Sequence, residues 1–220
     1  MAKKLKEFKL QESFRLLRTN IEFSTVDRKI KVINVVSTIS NEGKSTVSYE
    51  LAKVCADKYK KVLLVDCDLR KGKLHHKFLK NNDVGLSNIL AEFDDVYTAL
   101  NSDAIKLIDV GSNHPLYFIS AGPRVPKPLE LLSSNRFLKF LQWVRKEFDF
   151  VILDCPPACA CSDSVPISNA SDGTLYVISC KDADKRKVRI KIHELERNGA
   201  NMIGLVLTKM EIKSMDDYEY

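Results

Sequence analysis

Six short runs dense in valine, isoleucine and leucine, interspersed with segments of helical spacing, leave this chain few ways to fold. They are Val32–Ser37, Val62–Asp66, Tyr117–Ser120, Phe150–Asp154, Thr174–Ser179 and Met202–Thr208. A strand that is apolar on both sides of its pleat must be buried on both faces, and sheets of such strands are parallel with helices above and below. The helical segments fit that plan. Phe137, Phe140, Leu141, Val144 and Phe148 recur at helical spacing, and Val188, Ile192 and Leu195 repeat it ahead of Gly199, a helix stop. A further helix is expected from Lys44 to about Lys58. The expectation is an α/β fold with a mostly parallel central sheet covered on both faces.

Three of the runs end in the groups that a nucleoside-triphosphate site requires. The first leads into Ser37-Thr-Ile-Ser-Asn-Glu-Gly-Lys-Ser-Thr46. In such a phosphate loop, backbone N–H groups wrap the phosphates and the next helix points its positive end at them. Asn41, Glu42, Gly43, Lys44, Ser45 and Thr46 are the candidate nucleotide-binding residues, with Lys44 along the phosphates and the Ser45 hydroxyl on Mg²⁺. The other two runs are Val62-Leu-Leu-Val-Asp66-Cys-Asp68-Leu-Arg70 and Val151-Ile-Leu-Asp154-Cys-Pro156-Pro157. A carboxylate at the C-terminal edge of a buried parallel strand lies where ligands bind in such folds, and it can hold Mg²⁺ directly or through water. Asp66, Asp68 and Asp154 are therefore candidate catalytic residues, and Ser45, Asp68 and Asp154 the candidate metal ligands. The whole is of the P-loop NTPase type, with ATP and Mg²⁺ as the expected small molecules.

Composition excludes several alternatives. No apolar stretch reaches the roughly 18–20 residues of a membrane span, and no apolar core follows the basic start Met1-Ala-Lys-Lys-Leu-Lys as in a signal peptide. The chain is expected in the cytoplasm. Its six cysteines read as buried, reduced core fillers. Cys155, Cys159 and Cys161 have no second Cys/His pair at zinc spacing. The net charge of +6 is modest, and its basic run Lys181–Lys191 has few interleaved aromatics, so no nucleic-acid partner is expected.

On these motifs the chain resembles the bacterial tyrosine kinases of capsule and exopolysaccharide synthesis, relatives of the MinD/ParA ATPases. That family pairs its phosphate loop with an apolar strand ending Asp-x-Asp-x-Arg and another ending Asp-x-Pro-Pro, as here. Further matches are Arg70-Lys71 before His75-His76, Gly85-Leu-Ser-Asn-Ile-Leu90, and Gly122-Pro-Arg-Val-Pro-Lys-Pro-Leu-Glu-Leu-Leu-Ser-Ser134. Near the start, Glu12, Arg15 and Arg18 match the family's Glu-x₂-Arg-x₂-Arg segment, which implies ring-shaped self-assembly. They lie beside an apolar stripe of Leu10, Phe14, Leu17 and Ile21, on a face expected to be free for partners.

The resemblance implies phosphoryl transfer from Mg²⁺·ATP to tyrosine, with Asp66 as the base for the phenol. It divides the chain into a kinase domain, 1–214, with an N-terminal oligomerisation helix, and a flexible acidic tail, 215–220. The tail carries Tyr218 and Tyr220, the implied phosphoacceptors in trans. It also implies a partner, the cytoplasmic tail of a transmembrane polysaccharide co-polymerase that activates the kinase and draws it to the inner face of the membrane.

Thr38 stands where the general phosphate-loop consensus G-x-x-x-x-G-K-[ST] has its first glycine, and the chain departs from the family where Ser40-Asn41 stands for Pro-Gly and Leu207-Thr208 for Leu-Asn. Asn is the non-glycine residue most tolerant of left-handed backbone, so Asn41 is a mild replacement. Two other readings remain open. One is a MinD/ParA-like ATPase switch, although Ile39 occupies the place of those proteins' second lysine. The other is a nucleotide-binding pseudokinase scaffold.

Overall fold

The structure is a computed structural model. It describes residues 2–24, 30–79, 81–91 and 103–210, with side chains from residue 8 onward. Tyr218 and Tyr220 lie outside the described residues.

Seven strands form one sheet: β1 (Val32–Ser37), β2 (Val62–Asp66), β3 (Ile105–Ile108), β4 (Leu116–Ile119), β5 (Phe150–Asp154), β6 (Gly173–Ser179) and β7 (Met202–Thr208), in the order β3-β4-β2-β5-β1-β6-β7. Every neighbouring pair is parallel except β3 with β4. β3 is absent from the six expected strands because Ile105-Lys-Leu-Ile108 is short, edge-placed and only half-buried, without the continuous apolar run of its neighbours.

Alternate strand residues feed two cores. Val32, Val36, Leu63, Val65, Val151 and Leu153 face α5 (Asn135–Glu147), which supplies Phe137, Phe140, Leu141 and Val144. Ile33, Val35, Leu64, Ile152 and Val177 face α2 (Lys44–Ala56), which supplies Val47, Leu51 and Cys55. The period of two in the strands meets the period of 3.6 in the helices, and both faces are covered as expected. The remaining helices are α1 (Ala2–Phe23), α3 (Leu86–Ala91), α4 (Pro128–Leu132), α6 (Ser164–Ala170) and α7 (Lys185–Arg197). α7 opens where the Asp184 carboxylate accepts from the N–H groups of Arg186 and Lys187, and Gly199, at φ 93°, follows its end.

The C-terminal half of α1 is anchored. Phe14 and Ile21 are buried in the second core, and Arg18 donates to the carbonyl of Val54 at 2.6 Å. Glu22 accepts from Lys58 at 2.6 Å and from the Tyr59 hydroxyl at 2.8 Å. This corrects one expectation: Arg18 is engaged within the chain rather than free for partners. Leu10, at the head of the apolar stripe, is exposed. Glu12 and Arg15 pair with each other on the exposed side.

Candidate active site

The sheet register brings the carboxylates together. Asp154 of β5 stands opposite both Val35 of β1 and Asp66 of β2, while β1 runs two residues further, to Ser37, into the phosphate loop. Residues opposite each other in a parallel pair project to the same face, so two buried carboxylates lie side by side beneath the loop.

Lys44 answers their charge. Its Nζ lies 2.9 Å from Asp154 Oδ1 and 3.2 Å from Ser45 Oγ, and Ser48 Oγ donates to the same Asp154 oxygen at 3.0 Å. Burial works against the Lys44 ammonium, but the adjacent Asp154 carboxylate, with Asp66 behind it, more than offsets this and raises the lysine's pKa. Asp66 goes the other way for a carboxylate. Full burial, then the Asp154 charge, push it up to about 7, despite N–H donors from Leu74 and Asp68, each at 3.1 Å. A carboxyl group that titrates near neutrality is matched to taking up a proton at working pH.

The loop itself has few glycines and is shaped by side chains instead. Asn41, at φ 67°, and Gly43, at φ 94°, take the left-handed conformation, the former at the position foreseen for it. Glu42 is buried. One of its oxygens accepts from the N–H of Ile39 at 2.8 Å and the other from that of Ser179 at 3.4 Å. Thr208 Oγ1 donates to the Glu42 carbonyl at 2.5 Å, and Thr38 shares a 2.9 Å hydrogen bond with the Tyr176 hydroxyl. Glu42 therefore holds the loop from inside, and its side chain is absent from the cavity wall. Replacing Glu42 with Ala should free both N–H groups and loosen the loop. We expect the affinity for Mg²⁺·ATP, measured by calorimetry, to fall by roughly tenfold or more, in line with the cost of unsatisfied buried donors.

A cavity of about 560 Å³ opens over this constellation, lined by Asn41, Gly43, Lys44, Ser45, Thr46, Asp66, Asp68 and Asp154, with Arg70, Lys71, Lys73 and Lys209 around it. Asp68 turns the chain, accepting from the N–H groups of Arg70 and Lys71. Arg70 makes a two-point bond to the fully buried Asp163, at 2.7 and 2.9 Å. Asp163 was not foreseen, since nothing local marks a residue 93 positions from its partner. A larger recess, about 730 Å³ between α7 and the β6–β7 edge, is lined by Ile178, Val188, Ile192 and Leu205 together with Lys185, Arg189 and His193, and it shares no residue with the nucleotide cavity.

The oxygen groups of Ser45, Asp68 and Asp154 suit a hard cation. Among the described residues, no three His, Cys, Asp or Glu side chains form a closed metal cage, and Mg²⁺ seldom uses one, preferring one or two carboxylates together with phosphate and water. The cysteines do not gather into a metal site. Cys55, Cys67 and Cys155 are buried as expected, but Cys159 and Cys180 are exposed and Cys161 is half-buried on the cavity wall, correcting the view of all six as core fillers.

Residues 30–186 match the model of a family described as an AAA domain. The chain is 34% identical to the tyrosine-protein kinase YwqD of Bacillus subtilis over 209 residues, covering 95% of this chain and 85% of that protein. Among solved structures, the kinase domain of the Escherichia coli tyrosine kinase ETK aligns with a TM-score of 0.83 at 30% identity, over 96% of this chain and 79% of that one. The chimerical protein CapA2B2 aligns with a TM-score of 0.79 at 32% identity, over 90% and 84%. The chain spans only 28% of the length of the full etk kinase of Escherichia coli. The MinD protein of Pyrococcus horikoshii, at 19% identity and a TM-score of 0.63, shares the fold.

Proposed function

The chain belongs to the bacterial tyrosine kinases built on the P-loop ATPase fold, and on that premise we propose that it transfers phosphate from Mg²⁺·ATP to tyrosine in capsular or exopolysaccharide synthesis. One observation carries the reading beyond nucleotide binding: a second buried carboxyl group, Asp66, stands in the cavity opposite the Asp154 that pairs with Lys44, where burial and the Asp154 charge raise its pKa.

Lys44 and the loop N–H groups hold the phosphates, Asn41 and Gly43 giving the loop its curvature. Bound Mg²⁺ supplies charge neutralisation to the phosphates, with Ser45, Asp68 and Asp154 as its holders. Asp66, in its ionised form, accepts the proton of the attacking phenol, whose own pKa near 10 leaves it unreactive at neutral pH. Asp154 fixes Lys44 from below and keeps Asp66 basic. Such catalysis is mostly positioning and electrostatics.

The tyrosines acted on include Tyr218 and Tyr220 of a neighbouring copy in a homo-oligomeric ring, with Glu12 and Arg15 on the exposed side of α1 as its contacts. Phe8, Leu10 and Leu16 are exposed on the same helix and support an interface there. Residues 1–214 act as the kinase domain and 215–220 as the acceptor tail. The activating partner is the cytoplasmic tail of a transmembrane polysaccharide co-polymerase, which recruits the kinase to the inner face of the membrane. Six unpaired cysteines suit that reducing compartment. Among the described residues no helix is long and apolar enough to cross a membrane.

A mixing experiment tests transfer in trans. Chains carrying Lys44→Met but an intact tail are combined with chains carrying Tyr218→Phe and Tyr220→Phe but an intact Lys44, with Mg²⁺·ATP. Phosphotyrosine on the Lys44→Met chains is expected. Its absence from the mixture, when the wild-type chain labels itself, would confine transfer to a single chain.

A further inference from the structure

Beside the nucleotide cavity lies a second recess of about 480 Å³, and its walls are cationic. One wall is the turn after β2, carrying Lys71 and Lys73 and then His75 and His76. The other is Arg124, just after β4. Lys71, Lys73 and Arg124 are exposed, and among the described residues their side chains have no ion-pair or hydrogen-bond partner. One carboxylate, Asp68, is on the lining, and its Oδ1 accepts from the N–H groups of Arg70 and Lys71. His75 is 8% exposed, and its Nδ1 has no partner.

The recess is built rather than incidental. Asn82 grips Gly122 at two points, donating to its carbonyl at 2.7 Å and accepting from its N–H at 3.0 Å. Gly122 has φ 79°, and a side chain there would lie 2.3 Å from Ser87 Oγ. Across the recess, a Cβ on Gly72 would lie 2.4 Å from the Ala121 side chain and 2.9 Å from Asp66 Oδ2. Glycine at 72 thus lets the basic turn pack directly against the wall and against the proposed base. Lys71, Lys73 and Arg124 outnumber the single carboxylate on the lining and leave a positive field over the recess, which a multiply charged anion relieves.

We propose that this recess receives the carboxylates flanking an acceptor tyrosine, and that its ligand is the segment Asp216-Asp217-Tyr218-Glu219-Tyr220 of a second copy of this chain. The sequence supplies three carboxylates and two tyrosines in those five residues. The recess shares Asp68, Arg70, Lys71 and Lys73 with the nucleotide cavity, so a peptide that presents its phenol to Asp66 lays its acidic neighbours along the basic wall. This inference rests on the kinase reading and adds to it a determinant of substrate choice.

The test is fluorescence anisotropy with a labelled peptide Lys-Ser-Met-Asp-Asp-Tyr-Glu-Tyr. The protein is the full chain with Asp216→Asn, Asp217→Asn and Glu219→Gln, so that its own tail does not compete. Arg124 lines the recess but not the nucleotide cavity, and it is exposed, so R124E should fold normally. We expect R124E to weaken peptide binding by about tenfold or more, and amide replacement of the peptide's three carboxylates to do the same. Affinity for a fluorescent ATP analogue should be unchanged by R124E. Equal binding by R124E, equal binding of the amide peptide, or no binding of the acidic peptide would each overturn the proposal. Charge-selective binding without phosphate transfer to the bound peptide, with Mg²⁺·ATP and the activator's cytoplasmic tail present, would uphold the recess and overturn the kinase reading instead.

Discussion

Replacing Lys44 with Met is expected to lower the rate of phosphotyrosine formation by at least about 100-fold, the scale on which single charge-stabilising donors act in such sites. The ammonium is buried against Asp154 and beside Ser45, in the position to lie along the phosphates. Its loss has a second consequence. Asp154 and Asp66 are left side by side without a cation, and removing one partner of a buried pair normally costs about 3–5 kcal/mol. Here the two carboxyls can take up a proton, so the stability lost by K44M should be larger at about pH 8 than at about pH 6, as thermal melts at the two pH values would show. Equal losses at both would mean that the pair does not share the charge as described.

The second large effect concerns Asp66. Asp66→Asn should reduce the rate of tyrosine phosphorylation by about 100-fold or more, within the range that a general base contributes, while leaving Mg²⁺·ATP bound. It should also change how stability depends on pH. The folded-state pKa of about 7 lies above the unfolded value near 3.9. The proton on Asp66 therefore stabilises the fold fully below the unfolded value, and that contribution is lost as pH rises through 7. In the wild type, this group makes the fold less stable at about pH 8.5 than at about pH 5.5, by on the order of 2 kcal/mol. The Asn variant, with nothing to titrate, should show a flatter dependence and a higher relative Tm at alkaline pH. Denaturant unfolding across that range would show it; identical slopes for the two proteins would remove the buried, near-neutral carboxyl from the account.

Much of the architecture was legible because buried parallel strands announce themselves as unbroken Val/Ile/Leu runs. Val32–Ser37, Val62–Asp66, Phe150–Asp154 and Met202–Thr208 have the expected bounds. The third expected run, Tyr117–Ser120, is shifted by one residue, to Leu116–Ile119, and the helix after the loop stops at Ala56 rather than near Lys58. Local sequence carries no information about which long-range contact ends an element. The edge strand Ile105–Ile108 escaped because half-exposed strands mix Lys with Ile. At the site, the carboxylates at the strand ends and the loop Lys were readable from type and spacing. What Glu42 does was not. A charged residue in a loop looks solvent-facing, and only the approach of Ser179 and Thr208 from distant strands turns it inward. The same holds for Arg70 with Asp163, and for Arg18, whose partner Val54 lies on another helix. The basic recess depends on β2 and β4 being neighbours, which places residues 71–76 against 121–124.

The measurement closest to the central claim is site mapping of phosphotyrosine by mass spectrometry, after incubating the full chain with Mg²⁺·ATP alone and with the activator's cytoplasmic tail. The account predicts phosphate on Tyr218 or Tyr220, increased by the activator tail and lost in K44M. ATP bound and hydrolysed with no phosphotyrosine on any chain, even with the activator tail present, would contradict it and leave a nucleotide-driven switch in its place.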